Sequence, residues 1–167
     1  MNRCLRFAFL EIAVLMFAGI LLASSQTTAP ATLPGSEYSG MYSFLRDGEY
    51  VQVTVEDQGR VSGFISRYGD LDSDRGAFLA QFFKRESKLS GNKLTFTTEM
   101  VHGISFEFQG AIERGEGKKP GDEAYYVLKG TLIEKSIDQA KKTSSRSREV
   151  AFKRFPQDVN PNPPERR

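Results

Sequence analysis

The sequence predicts an all-β protein, an eight-stranded antiparallel up-and-down meander that closes into a barrel. Three observations predict it. Apolar and polar residues alternate with a period of two over most of the chain between Glu37 and Phe155. Turn residues recur about every ten positions. Turn chemistry and alternation independently place the same residues on one face. A sandwich of two sheets is the alternative architecture.

The first 25 residues have the pattern of a secretory signal peptide. Arg3 and Arg6 precede an apolar run, interrupted only by Glu11, and small residues follow from Ser24. We expect cleavage after Ser25, export to the periplasm or the extracellular space, and no stable membrane insertion afterwards. An uncleaved N-terminal membrane anchor is the alternative, although the 12 residues from Ile12 to Ala23 are shorter than the roughly 20 that span a bilayer.

The composition after cleavage excludes several kinds of chemistry. The only cysteine is Cys4, within the signal, so disulfides and thiolate catalysis are not expected. Setting aside Arg3, Arg6 and Glu11 from the 23 basic and 21 acidic residues leaves 21 and 20. Because this balance creates no strong field, nucleic acid is not an expected partner. Residues 26–36 read as a flexible lead-in, 37–155 as the barrel domain and 156–167 as a disordered Pro-rich tail.

Two hairpins can be registered at the start of the domain. Asp47-Gly48 suits a two-residue type I′ turn, which pairs Tyr42 with Val53 and Phe44 with Val51. Asp57-Gln58-Gly59 suits a three-residue loop ending in a glycine bulge. That loop pairs Val55 with Val61, Val53 with Gly63 and Val51 with Ile65. All of these side chains fall on one face.

The later strands continue the same face. A loop at Val101-His102-Gly103 pairs Met100 with Ile104, Phe96 with Phe108 and Leu94 with Gly110. Residues 136–147 are expected to form a mobile polar loop, and the basic stretch 141–148 within and beside it a solvated surface. The predicted strands lie near 40–46, 49–56, 60–67, 87–90, 92–100, 104–113, 124–134 and 147–155.

The stretch from Asp70 to Leu89 is predicted to hold one short helix near 75–84. Phe78, Leu79, Phe82 and Phe83 have helical spacing, whereas a strand would place large apolar groups on both faces. Asp70, Asp72 and Asp74 are spaced like the first carboxylates of a calcium loop and are the best metal candidates of the chain. The match is partial, because such loops require Gly and Glu where Arg75 and Gln81 stand. A helix-capping acidic loop is the favoured interpretation.

A resemblance to a known superfamily supports the barrel. Gly40-Met41-Tyr42 resembles the Gly-x-Trp signature of the calycins, with Tyr for Trp, and Val150 to Phe155 resembles the closing strand of avidins. In that superfamily an Arg near the last strand packs across the first-strand aromatic residue. The resemblance therefore implies that Tyr42 and Arg154 close the barrel. The sequence has no Trp, unlike the biotin site of avidins, so biotin binding is not implied.

The predicted function is non-enzymatic binding of a small hydrophobic or amphipathic ligand in the barrel interior. No cofactor is expected, and no catalytic set is apparent, because His102 is the only histidine and falls in a turn. Inward Gly63, Gly110 and Gly130 fill no volume and either leave a cavity or relieve strand coiling. The alternative is a filled-core envelope module that binds an unidentified protein through loops or outer strands. The predicted ligand-binding residues are Tyr42, Phe44, Val53, Phe96, Thr98, Phe106, Phe108, Tyr126, Leu128 and Phe152.

Overall fold

The computed structural model of the protein describes residues 33–69, 74–138 and 140–157. The predicted signal peptide and most of the predicted lead-in and tail lie outside these ranges. The described residues form an antiparallel all-β fold, as predicted, with nine strands in place of eight. The strands are β1 (Gly40–Ser43), β2 (Tyr50–Val55), β3 (Val61–Tyr68), β4 (Phe78–Phe82), β5 (Lys88–Ser90), β6 (Lys93–Thr97), β7 (Ile104–Arg114), β8 (Tyr126–Ile137) and β9 (Thr143–Lys153).

The strands form two sheets, β1 to β4 and β5 to β9, each in simple sequence order. Isolated bridges join the sheets at both edges. Tyr42 pairs with Arg154 between β1 and the end of β9, and Phe83 pairs with Thr98 between the ends of β4 and β6. The sheets therefore surround one shared core. No helix within the described ranges is long and apolar enough to cross a membrane.

The β2–β3 hairpin has the predicted register. Val55 faces Val61, Val53 faces Gly63 and Val51 faces Ile65. The loop has positive φ at Gln58 and Gly59, and the amide of Glu56 donates to the carbonyl of Arg60 at 2.8 Å. Turn chemistry alone was sufficient here because the glycine stands where the left-handed conformation is required.

The predicted β1–β2 register is wrong by two residues. Tyr42 faces Val51, and the amide of Phe44 donates to the carbonyl of Glu49. The Asp47-Gly48 turn forms, but the amide of Arg46 donates to the Glu49 carboxylate at 3.2 Å rather than to its carbonyl. The loop therefore spans 45–48. Because the shift is even, the predicted inward face is preserved.

The β6–β7 hairpin is partly as predicted. Phe96 faces Phe108 and Leu94 faces Gly110, but Val101 rather than Met100 pairs with Ile104. His102 and Gly103 have φ of 51° and 76°, so they form a two-residue turn of the I′ kind. Because the turn is one residue shorter than predicted, the β6 side has one extra residue between Thr98 and Val101. Met100 in this stretch is exposed.

The predicted helix near 75–84 is wrong, because Phe78–Phe82 is strand β4, paired with β3. Its alternation is inverted. Phe78 and Phe82 lie on the outer face, with their rings 4.5 Å from Tyr68 and 5.6 Å from Phe64 between centroids. Gln81 points inward and is fully buried. Phe78 and Phe82 are four residues apart, which fits one face of a helix and equally one face of a strand. Here they lie on the outer face of β4 and pack against side chains of the neighbouring strand.

The predicted mobile loop 136–147 is also largely strand. β8 continues to Ile137, β9 begins at Thr143, and the two pair from Ile137 with Thr143 onward. This extends the β8–β9 hairpin and leaves a short connection near 138–142. The prediction was misled by the serines of β9, because serines at exposed strand positions resemble the composition of a loop.

The interior is filled by a continuous chain of six phenylalanine rings. Successive centroids are 4.3 to 6.3 Å apart. Two inward glycines adjoin these rings and the neighbouring backbone. A Cβ at Gly63 would lie 2.0 Å from the carbonyl oxygen of Gln52 and 2.8 Å from the Phe83 ring, and one at Gly110 would lie 2.2 Å from the carbonyl oxygen of Lys129 and 2.6 Å from the Phe108 ring. The missing side chains thus make room for the adjacent strand as well as for aromatic rings. In order across the core the rings are Phe83, Phe96, Phe108, Phe152, Phe44 and Phe106.

Truncating the centre of this chain should strongly destabilise the fold. We expect Phe108→Ala to lower the free energy of unfolding by about 3 to 5 kcal/mol, because Phe108 is 2% exposed. Phe78→Ala is the matched control on an outer strand face, 57% exposed, and should cost less than about 1 kcal/mol. Urea unfolding followed by circular dichroism measures both, and equal losses would contradict this account of the core.

Candidate functional site at the four-loop end

The meander gives the barrel two chemically different ends. The connections 44–49 and 98–103 lie at the same end as the described ends of two others, Gly69 with 74–77 and Asp138 with 140–142. This is because alternate hairpins of an antiparallel meander turn at the same end. We call this the four-loop end. The opposite end holds the connections near 56–60, 91–92 and 115–125 together with the short 3-10 helix Ser36–Tyr38.

Eight of the ten predicted ligand-binding residues belong to the hydrophobic core. Thr98, also buried, accepts a hydrogen bond from the amide of Phe106 at 3.0 Å, so it is already engaged by the protein. The core members are Tyr42, Phe44, Val53, Phe96, Phe106, Phe108, Leu128 and Phe152. Their rings and aliphatic groups pack against one another.

The remaining predicted residues lie away from the four-loop end. Tyr126 is half-buried against Tyr38, with ring centroids 4.9 Å apart. The guanidinium of Arg154 lies 5.5 Å from the Tyr126 ring centroid and donates to the carbonyls of Glu37 and Ser39 at 3.0 and 2.6 Å. The hydroxyl of Tyr42 donates to Tyr38 at 2.6 Å. The structure thus places Tyr42 and Arg154 at the junction of β1 and β9.

At the four-loop end the inward-facing side chains change from apolar to charged. On four strands the inward position two residues nearer this end than the last apolar inward residue is charged. Glu49 lies beyond Val51 on β2, Arg67 beyond Ile65 on β3, Glu134 beyond Leu132 on β8, and Arg148 beyond Val150 on β9. Phe44 and Phe106 are buried beside them, Phe44 paired with Glu49 and Phe106 with Glu134. We call this layer the polar ring and define it as Glu49, Arg67, Gln81, Thr98, Glu134 and Arg148.

Side chains of the polar ring close the barrel where β4 and β6 stop pairing. Gln81 is fully buried and accepts from Nε of Arg67 at 2.6 Å. Its Nε2 donates to the carbonyls of Ile104 at 2.8 Å and Glu99 at 3.2 Å. Gln81 therefore bridges the gap between β4 and the β6–β7 hairpin with both ends of its amide.

The other charged members of the ring are held differently. Glu49, 2% exposed, accepts from the amide of Tyr68 at 3.0 Å and from Nε of Arg46 at 2.9 Å. Arg148 forms an ion pair with Glu134 across β8 and β9, and each side chain is 28% exposed. Nε of Arg148 has no hydrogen-bond partner among the described residues. This side of the ring is therefore the part that reaches solvent.

The predicted metal candidates divide between described and undescribed residues. Asp74 is buried and pairs with His102 Nδ1, which ties the loop near 69–77 to the β6–β7 hairpin. Asp70 and Asp72 lie outside the described residues, so the calcium-type loop stays a prediction. Among the residues that are described, no group of three acidic, His or Cys side chains could hold a metal ion.

Sequence reasoning missed the polar ring, although the signal for it was present. Extending the period of two by one step beyond Ile65, Leu132 and Val150 gives Arg67, Glu134 and Arg148. Gln81 had no such signal, because its strand was interpreted as a helix. The predicted apolar residues describe the core rather than this layer.

The fold is similar to that of avidin-family barrels of known structure. Rhizavidin matches with a TM-score of 0.52 and 11% identity over 74% of this chain and 87% of its own. The rhizavidin–biotin complex matches with 0.51 and 10% over 71% and 93%. Apo intact afifavidin matches with 0.51 and 13% over 78% and 93%. The chain therefore has a calycin-like, avidin-like fold, as its sequence resemblance predicted.

At the level of sequence the comparisons find nothing: no protein-family model and no curated protein matches the chain.

Removing the Gln81 amide should destabilise the barrel without changing its shape. We expect Gln81→Met to lower the free energy of unfolding by about 2 to 4 kcal/mol, because Arg67 and two carbonyls lose a buried partner. Gln109→Met, on the exposed outer face of β7, should change it by less than about 0.5 kcal/mol. A Gln81→Met protein as stable as the parent would show that the amide does not bridge the gap between β4 and the β6–β7 hairpin.

Alkaline unfolding should report on Tyr42. Burial raises the pKa of Tyr42 well above its ordinary value, and the nearby Arg154 offsets part of this rise. Because ionisation is harder in the folded protein, stability is complete below pH about 10 and falls at higher pH. The fall should be shallower in Tyr42→Phe, by up to about 1.4 kcal/mol per pH unit. Tyr50→Phe, on the outer face of β2, is the control that should retain the full slope in urea titrations.

Proposed function

We propose that this protein is an exported, non-enzymatic binding protein that takes a small amphipathic ligand at its four-loop end. The observation that carries this proposal is the polar ring beside the buried rings of Phe44 and Phe106. The proposed ligand would lay its apolar part on Phe44 and Phe106 and present a polar or ionised group to Arg148 and Glu134. This refines the predicted interior site, since the phenylalanine chain occupies the centre of the barrel.

The charged members of the polar ring are costly to bury. Placing charged groups inside a barrel costs several kcal/mol per ion before partners compensate, and apolar side chains of similar volume often stabilise as well or better. Two inward arginines and two inward glutamates are thus a local departure from the rules that the rest of the core obeys. Such departures concentrate at functional sites.

The fold supports the same location. One of the similar structures, rhizavidin, is described in complex with biotin, so the avidin-like fold accommodates a small ligand in at least that protein. No biotin chemistry is transferred here at 10% identity. What supports the proposal in this chain is the inward position of its own charged side chains, with Arg148 retaining an unused Nε donor.

Native mass spectrometry of the protein purified from its own host tests both parts of the proposal. We expect a chain lacking residues 1–25 that carries a small molecule lost on activation in the gas phase. Arg148→Gln should reduce the ligand-bound fraction at least about fivefold, because it removes the buried, unpartnered Nε donor and the positive charge beside it. Lys129→Gln, an exposed outer position on β8, is the control. A mass equal to that of the polypeptide alone would contradict the proposed ligand binding. A mass that includes residues 1–25 would contradict the proposed cleavage.

A second candidate function is protein interaction through the outer face of β2 to β4. The observation favouring it is a cross-strand aromatic cluster, in which Phe78 and Phe82 are 57% and 55% exposed. Tyr50, Phe64 and Tyr68 complete the cluster. Exposed apolar patches of this kind are typical of interaction sites. Size-exclusion chromatography of the same preparation separates the two functions, because a ligand carrier should elute as a free monomer.

A further inference from the structure

The outer edge of β9 is an open strand edge. β9 is the last strand of its sheet and pairs with β8 along its whole length. On its other side β1 reaches only the C-terminal end: Tyr42 bridges Arg154, and the amide of Lys153 donates to Ser43 Oγ at 3.0 Å. Among the described residues, no strand pairs with Thr143–Glu149 on that side. Residues 143–147 are all exposed.

The direction of each backbone group along this edge follows from two hydrogen bonds. The amide of Arg154 donates to Tyr126 of the β8 side, so alternate residues from Phe152 back to Ser144 also face β8. The amide of Phe155 donates to Met41 on the other side. Thr143, Ser145, Ser147 and Glu149 therefore direct their amides and carbonyls away from the sheet. They form an unfilled ladder of four residues.

The charge of this edge selects its partner. Arg146 and Arg148 lie on one face of β9, and the single carboxylate opposite them on β8 is Glu134, which pairs with Arg148. Arg146 makes no ion pair with the described residues. On the other face Ser145 and Ser147 stand beside Glu149. An incoming strand with acidic side chains on the arginine face and hydroxyl or small ones on the other would match both faces.

A second copy of the same edge is a poor match. Antiparallel pairing of two β9 edges about Ser147 places Arg146 of one copy opposite Arg148 of the other, and pairing about Arg146 places Arg146 opposite itself. Like charges directly opposite each other destabilise a pair of strands. The basic edge thus disfavours self-association and leaves the backbone ladder available to an acidic segment.

From this geometry we propose that Thr143–Glu149 binds an extended acidic segment of a partner protein, which adds a strand to the sheet beside β9. Backbone hydrogen bonds from the four outward residues supply the affinity, and Arg146 supplies the charge selectivity. This site adjoins the proposed ligand site, because the arginine face of β9 is its inward face and includes Arg148. It differs in using the outward backbone groups of the strand edge.

Amide hydrogen exchange by NMR tests the ladder directly. In the free protein the amides of Ser145 and Ser147 should exchange fast, while those of Ser144 and Arg146 are protected by β8. A capped octapeptide of alternating Glu and Thr should slow Ser145 and Ser147 selectively. If these two amides are already protected without peptide, or stay fast with it at saturating concentration, the proposal is overturned.

Binding of the same peptide to variants tests the chemistry. Arg146→Glu should weaken binding about tenfold by turning attraction into repulsion, and added salt should weaken binding to the parent protein. Ser147→Pro should abolish binding, because it removes an outward amide and spares the β8 ladder. Lys93→Glu, on the outer face of β6, is the control. Equal binding of a Lys-Thr octapeptide, or unchanged binding by Ser147→Pro, would overturn the proposal. The four-loop end is tested separately, by the small molecule seen in native mass spectrometry and not by this peptide.

Discussion

The chain of phenylalanine rings across the core is the constraint on which the rest of this barrel depends. It begins at Phe83, where β4 leaves its sheet, and passes through Phe96 and Phe108 to the last strand. The rings require space that ordinary strand side chains would take, and inward glycines provide it. Aromatic packing thus connects the two sheets across the centre, where no backbone hydrogen bond reaches.

Filling the centre also decides where chemistry can occur. A barrel of about eight strands is just wide enough to be packed by side chains or to hold one small ligand, and this one is packed. The charged layer is displaced to the end, where Arg148 and Glu134 still reach water. The similarity to avidin-family barrels is one of fold, at 10 to 13% identity, and the charged layer is described from the side chains of this chain alone.

Much of the fold could be predicted from sequence because two signals of different origin coincide. Glycine-containing turns and period-two alternation both indicated the inward face, and even the shifted β1–β2 register left that face unchanged. The failures share one cause. Where tertiary contacts reverse the usual pattern, as with outward Phe82 and inward Gln81, local spacing is misleading. The polar ring was missed because a charged residue at an inward position resembles the end of a strand.

The edge between β4 and the β6–β7 hairpin changes its kind of bond along its length. Backbone bonds hold it as far as Phe82, whose carbonyl accepts from the amide of Glu99 at 2.8 Å, just as backbone pairing at Tyr42 and Arg154 holds the opposite edge. Beyond Phe82 it depends on the Gln81 amide and on the pair between Asp74 and His102. Side-chain bonds break one at a time, and neither sheet's ladder depends on them. The barrel is therefore easiest to open at this edge. Separating the four-loop end of β4 from the β6–β7 hairpin is the least costly way to widen the barrel, and that motion enlarges the four-loop end alone.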